Sequence, residues 1–163
     1  MKSINPSNVV FVDEAGINNN EVYPYGWAPK GKRLNMFKLG CRTQRVSIIG
    51  ALNQKQFFAS LFFEGYTNQE VFIAYLKQVL IPQLRSGQHV VLDNAAFHKN
   101  SLIRKLIENA GCFLKYLPPY SPDLNPIEHY WHSLKNSLRK ELAKCNFDIM
   151  QAAEHAFNRI GQG

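Results

Sequence analysis

His89-Val-Val-Leu-Asp93 is a short apolar run that ends on an acid, and Asn8-Val-Val-Phe-Val-Asp13 repeats the pattern far upstream. Continuous, mostly β-branched runs of this length read as buried strands. Working outward, residues 46–52 and 57–63 are two apolar runs parted by Asn53-Gln-Lys-Gln56, the pattern of an antiparallel hairpin with a tight turn. Residues 113–117 give a fifth strand. Helical spacing of Phe72, Leu76 and Val79 predicts a helix over 68–80, ended or kinked by Pro82. A second helix is expected over 100–109, with Leu102, Leu106 and Ile107 inward and Gly111 as its stop. Ile127, Trp131, Leu134, Leu138 and Leu142 then form a stripe at i, i+4, i+7, i+11 and i+15. A last helix over 147–160 carries Ile149, Ala153, Ala156 and Phe157 on one side. Three strands, then helix, strand, helix, strand and two helices make an α/β chain: a mixed five-stranded sheet flanked by helices.

In that arrangement Asp13 and Asp93 end neighbouring central strands. Carboxylates a few ångströms apart repel unless a cation neutralises them, and oxygen-only ligation favours Mg²⁺ or Mn²⁺. An acid at a strand end also serves simply to stop the strand, so neither residue alone decides the matter. Glu128 closes Ser121-Pro-Asp-Leu-Asn-Pro-Ile-Glu128, and 34 residues lie between Asp93 and Glu128. With Asn125 as N-cap and Pro126 at the first helical position, Glu128 also fits the reciprocal acid of a capping box. The prolines at 118, 119, 122 and 126 tip the balance, because such a segment loses little entropy on ordering and can hold a carboxylate in place. Phosphodiester chemistry with two divalent metals needs carboxylates gathered in this way.

His132, Lys135 and Arg139 follow Glu128 on one helix face. They form either a cationic track for a DNA backbone or an ordinary solvated face. His98 could orient water or a phosphate at the site, or cap the next helix. His129 and His132 have zinc-like spacing but no third partner nearby, so a zinc site is not expected. The chain carries a formal charge of +7 over 163 residues. Between Glu21 and Glu64 there is no acid, only bases such as Lys30, Lys32 and Arg33, as a phosphate-tracking surface requires. Trp27, Tyr23 and Tyr25 could stack on bases or anchor a loop. The three cysteines, at 41, 112 and 145, are too few and too scattered for a disulfide framework. With no signal peptide and no membrane-length apolar run, a reducing intracellular setting is expected.

Three strings carry a family resemblance: Phe11-Val-Asp-Glu-Ala-Gly16, Leu92-Asp-Asn-Ala-Ala-Phe-His98, and Leu117-Pro-Pro-Tyr-Ser-Pro-Asp-Leu-Asn-Pro-Ile-Glu-His-Tyr-Trp131. They resemble the catalytic domain of mariner-like insertion-sequence transposases, and Gly26-Trp-Ala-Pro-Lys-Gly31 is similar too. The resemblance implies a ribonuclease H-like fold and an Asp13, Asp93, Glu128 triad holding two Mg²⁺ (or Mn²⁺) ions. Asn94 and His98 would support it, whereas Glu14 and Asp123 match motif positions without being ligands. It implies cleavage at the element's ends by water, then attack of the freed 3′-hydroxyl on target DNA, in a bacterial cytoplasm at the nucleoid. Relatives carry an N-terminal helix-turn-helix region before this domain. Residues 1–163 are therefore expected to be a single catalytic domain without it, working with a separate DNA-binding half or as a dimer. The competing expectations are a nuclease that cuts without joining, and an inactive DNA-binding remnant that regulates its relatives.

Overall fold

Alternation along the first strand builds both faces of the sheet. The computed structural model describes residues 4–18, 44–54, 56–119, 121–142, 144–145 and 148–160. The basic segment with Lys30, Lys32 and Arg33, and the aromatics Tyr23, Tyr25 and Trp27, lie outside these residues. Strand β1 (Val9–Asn18) is followed by the hairpin of β2 (Arg45–Asn53) and β3 (Gln56–Glu64). Helix α1 (Gln69–Tyr75), β4 (His89–Leu92), α2 (Ser101–Asn109), β5 (Phe113–Tyr116), α3 (Ile127–Leu142) and α4 (Ile149–Ile160) complete the expected order. The sheet order is β3-β2-β1-β4-β5, with β1 antiparallel to β2 and parallel to β4.

Val10 and Val12 of β1 point into a core formed with Phe72, Leu76, Ile103 and Ile107 from α1, the turns after it, and α2. Ala15 and Ile17, of opposite parity, point into a second core with Ile127, Trp131, Leu134 and Leu138 of α3 and Ala152, Ala153 and Ala156 of α4. Every residue of the predicted α3 stripe is buried. Helix α3 is further anchored by Tyr130, which stacks on Phe57 at 4.0 Å and 6°. Gly50 makes room for that ring, since a Cβ there would stand 2.1 Å from Phe57 Cζ.

Three expectations are corrected. Strand β1 does not stop at Val12: it runs through Asp13 to Asn18, paired with β2 throughout. Helix α1 ends at Tyr75, continues as a π-helical turn over Leu76–Leu80, and closes in a 3-10 turn over Ile81–Gln83. Pro82 has no N–H to offer a regular helix there. In α2 the inward residues are Ile103 and Ile107, while Leu102 is exposed. The helix is capped by Asn100, whose Oδ1 accepts from Leu102 N–H at 2.8 Å, and this start turns the two isoleucines, four apart, to the sheet. Asn100→Ala is expected to lower unfolding stability by about 1 kcal/mol, measured by urea denaturation. After α2, Gly111 stands at φ +73°, a left-handed stop as expected.

Candidate active site

The parallel pair of β1 and β4 sets the site. Phe11 faces Val91 across that pair, so two residues further on Asp13 comes level with Asp93. Strand β4 ends at Leu92 while β1 continues alongside β2. The sheet opens there, at the carboxyl end of the parallel strands, where ligand crevices form in α/β sheets. An open cleft of about 450 Å³ lies at this point, lined by Asp13, Asp93, Asn94, Lys99, Asn125 and Glu128, among others. The three predicted carboxylates therefore border one space.

Their surroundings differ. Asp13 is 6% exposed. Its Oδ1 accepts from the Glu14 N–H at 2.8 Å. Its Oδ2 accepts from the Asn125 amide at 3.1 Å and the Trp131 indole N–H at 3.2 Å. Burial, reinforced by the charges of Glu14 and Glu128, pushes the Asp13 carboxyl up to about 7 despite those donors. Asp93 is half exposed and is held below the usual carboxylate range, first by its hydrogen bond from His98. The side chain of Glu128, exposed at the start of α3, makes no hydrogen bond among the described residues.

The capping-box expectation is not met. Glu128 N–H reaches the Asn125 carbonyl at 3.2 Å, but the Asn125 amide turns to Asp13 and its Oδ1 has no partner. The rotamer in which the Asn125 amide N–H donates to the Asp13 carboxylate leaves the side-chain oxygen, the atom an N-cap needs, without a helix N–H to accept. His98 neither caps α2 nor opens onto the cleft. It is wholly buried behind Asp93, with Nδ1 at 2.5 Å from Asp93 Oδ1 and Nε2 at 3.5 Å from Glu14 Oε2. Burial opposes its charge, yet the two carboxylates outweigh that and raise it to about 9. Asn94 is in the cleft wall as expected. His132, Lys135 and Arg139 lie along α3 outside the cleft lining. His132 is bonded to Asn136 at 3.0 Å, and Arg139 to the same side chain at 3.0 Å. Residues not foreseen are Lys99, the one cation among the described lining residues, and the donors Asn125 and Trp131. The place of Lys99, directly after His98 and shortly after Asp93, was the available signal for it.

A donor set of carboxylate oxygens, one of them on a buried aspartate whose charge is disfavoured by burial and by neighbouring acids, suits a hard divalent cation. Among the described residues no three acidic, histidine or cysteine side chains already form a closed metal cluster. Glu128, whose side chain is hydrogen-bonded to none of the described residues, lines the same cleft as Asp13 and Asp93.

A five-stranded mixed sheet of this order, with helices on both faces and carboxylates at the end of the central parallel pair, is the ribonuclease H-like fold of transposase and integrase catalytic cores. The Mos1 mariner transposase in its paired-end complex with Mn superposes with a TM-score of 0.61 at 16% identity, over 96% of this chain and 53% of that one. The HTLV-2 integrase catalytic core with magnesium gives 0.56 at 14% identity, over 95% and 86%. At such identities the likeness is one of fold. The sequence carries the rest: the chain belongs to the DDE superfamily endonucleases, matching that family over residues 8–149. It is also 23% identical over 155 residues to the 39 kDa protein of insertion element IS630 from Shigella sonnei. That match takes in 93% of this chain, which spans about half the length of the curated relatives it matches.

Proposed function

We propose that this chain is the catalytic domain of a DDE transposase, a metal-dependent DNA endonuclease and strand transferase. One observation carries the proposal: Asp13, Asp93 and Glu128, remote in sequence, line a single cleft where the parallel strands part. These three are the proposed catalytic carboxylates and the ligands for Mg²⁺ or Mn²⁺. When bound there, two such ions would activate the attacking oxygen and stabilise the leaving one. The chain's own part is positional. Asp13 is fixed by Trp131 and Asn125, Asp93 by His98, and Glu128 is carried by the first turn of α3. Mn in the Mos1 complex and magnesium in the HTLV-2 core support the same choice of metal here.

The proposed reaction has two displacements at phosphorus. Water bonds to a phosphorus at the element's end and the 3′-oxygen leaves; that 3′-hydroxyl then bonds to a target phosphorus, expelling a target 3′-oxygen. The net charge of +7 supports DNA as the partner. Recognition of element ends, dimer formation and target choice belong to the whole protein acting at the bacterial nucleoid, of which residues 1–163 supply the catalytic domain. No helix among the described residues is long and apolar enough to cross a membrane.

The test is a supercoiled plasmid incubated with Mg²⁺ or Mn²⁺ and an oligonucleotide bearing a free 3′-hydroxyl. Nicking plus joined oligonucleotide is the expected result. Nicking without joining would leave a nuclease, and neither product would leave a DNA-binding remnant. Lys99 is the proposed phosphate contact in the cleft. Lys99→Ala should weaken DNA binding and reduce the slope of log K against log salt by about 0.9, read by fluorescence anisotropy. Lys135→Ala with Arg139→Ala should flatten the slope further if DNA follows α3.

A further inference from the structure

Adjacent residues of β1 serve opposite faces of the sheet. Asp13 turns toward α3, whereas Glu14 turns to the other side and meets His98. We propose that Glu14 and His98 form a positioning bridge that fixes the rotamer of Asp93 from behind and leaves its second oxygen for the cleft. This inference rests on the assignment of Asp93 as a metal ligand.

The geometry is specific. The imidazole is 0% exposed, with rings on two sides: Phe72 at 4.4 Å and Phe97 at 4.2 Å between centroids. Its main chain is tied too, because the Tyr116 hydroxyl donates to the His98 carbonyl at 2.8 Å. The ring therefore has little freedom to turn. Nδ1 lies at hydrogen-bond distance from Asp93 Oδ1, while Nε2 points at Glu14 Oε2, and these last two buried atoms have no hydrogen-bond partner of their own among the described residues. The Nδ1 contact is a short charge-assisted hydrogen bond, and the 3.5 Å Nε2 contact is an ion pair too long to be a good hydrogen bond. Asp93 Oδ1 accepts both the His98 N–H and the Ala95 N–H at 3.0 Å, while Oδ2 accepts nothing among the described residues. One carboxylate oxygen is thus anchored and the other is free to ligate. The ring also stands between Asp93 and Glu14 of β1 and keeps the two carboxylates apart. Partners of this kind behind a metal ligand set its orientation and basicity.

Amide replacements separate the bridge from mere core filling. The Asn amide nitrogen reaches the place of Nδ1, and the Gln amide nitrogen that of Nε2. His98→Asn should keep the Asp93 contact, and His98→Gln should lose it. In calorimetric titration with Mn²⁺ alone, His98→Gln is expected to weaken binding about 10–100-fold, against about threefold or less for His98→Asn. Cavity size alone predicts the reverse, since Asn leaves the larger void, and thermal unfolding of both variants records that effect separately. Glu14→Gln should weaken Mn²⁺ binding severalfold by itself and add nothing in the His98→Asn background. Equal losses in the two His98 variants, or a larger loss in His98→Asn, would overturn the bridge. Should neither His98 variant fold, unchanged Mn²⁺ affinity in Glu14→Gln would overturn it as well. A wild type that binds no Mn²⁺ would remove the functional reading and the bridge together; a wild type that binds, with the variant order reversed, would remove the bridge alone.

Discussion

Asp93→Asn should cut metal-dependent plasmid nicking by at least about a thousandfold, equivalent to about 4 kcal/mol of activation free energy. The change keeps the side chain's shape and leaves an oxygen to accept from the Ala95 N–H, but it removes the charge that a divalent ion needs at the mouth of β4. Glu128→Gln should do the same, although its side chain makes no hydrogen bond in the described structure and its loss should cost little stability. That contrast separates a ligand from a structural acid. Nicking by Asp93→Asn equal to that of the wild type would place the activity at another site.

The second large effect is on stability against pH, and its sign is unusual for a carboxylate. Asp13 holds its proton to about 7 in the folded protein, against 3.8 for an ordinary aspartate. Between those values the folded state binds more protons than the unfolded one, so stability falls as pH rises through this window. The loss attributable to Asp13 is on the order of 4 kcal/mol. His98, raised to about 9, stabilises most below pH 6.5 and loses that contribution as pH climbs through 9. Asp93 works in the opposite sense at the acid end, since its depressed carboxyl contributes above the ordinary value and loses that contribution as pH falls. The metal-free melting temperature should therefore decline between pH 5 and 8. Mn²⁺ at about a hundredfold over Kd should restore about 2.7 kcal/mol, or roughly 5–10 °C, at pH 8. At pH 5, where Asp13 is protonated, it should restore little. Differential scanning fluorimetry with and without Mn²⁺ checks this, and Asp13→Asn should both flatten the decline and abolish the Mn²⁺ shift. An equal Mn²⁺ shift at both pH values would contradict it.

Much of the site was legible because its signals are local. The strand before Asp93, the α3 stripe and the prolines ahead of Glu128 are each read within a few residues. What escaped was contact across the chain. Taken alone, Asp13 read as readily as a strand stop as a ligand, because two of its donors come from across the chain, Asn125 just before α3 and Trp131 within it. Asn125 looked like an N-cap because the pull of Asp13 on its amide cannot be read from neighbours. His98 could be placed near the site but not behind it, since its burial depends on Phe72 from α1. The inward face of α2 was misjudged for a related reason. Four apolar residues, at 102, 103, 106 and 107, fit a helix in more than one rotation until the cap at Asn100 fixes it.

The most direct test is a crystal of this chain soaked in Mn²⁺, with ions located by anomalous scattering. Oxygens of Asp13, Asp93 and Glu128 should all lie in the coordination shells of ions within the cleft, with Glu128 turned inward. Ions bound elsewhere, or a Glu128 that stays out in solvent while Asp13 keeps all three of its donors, would contradict the assignment of these three acids to one metal site.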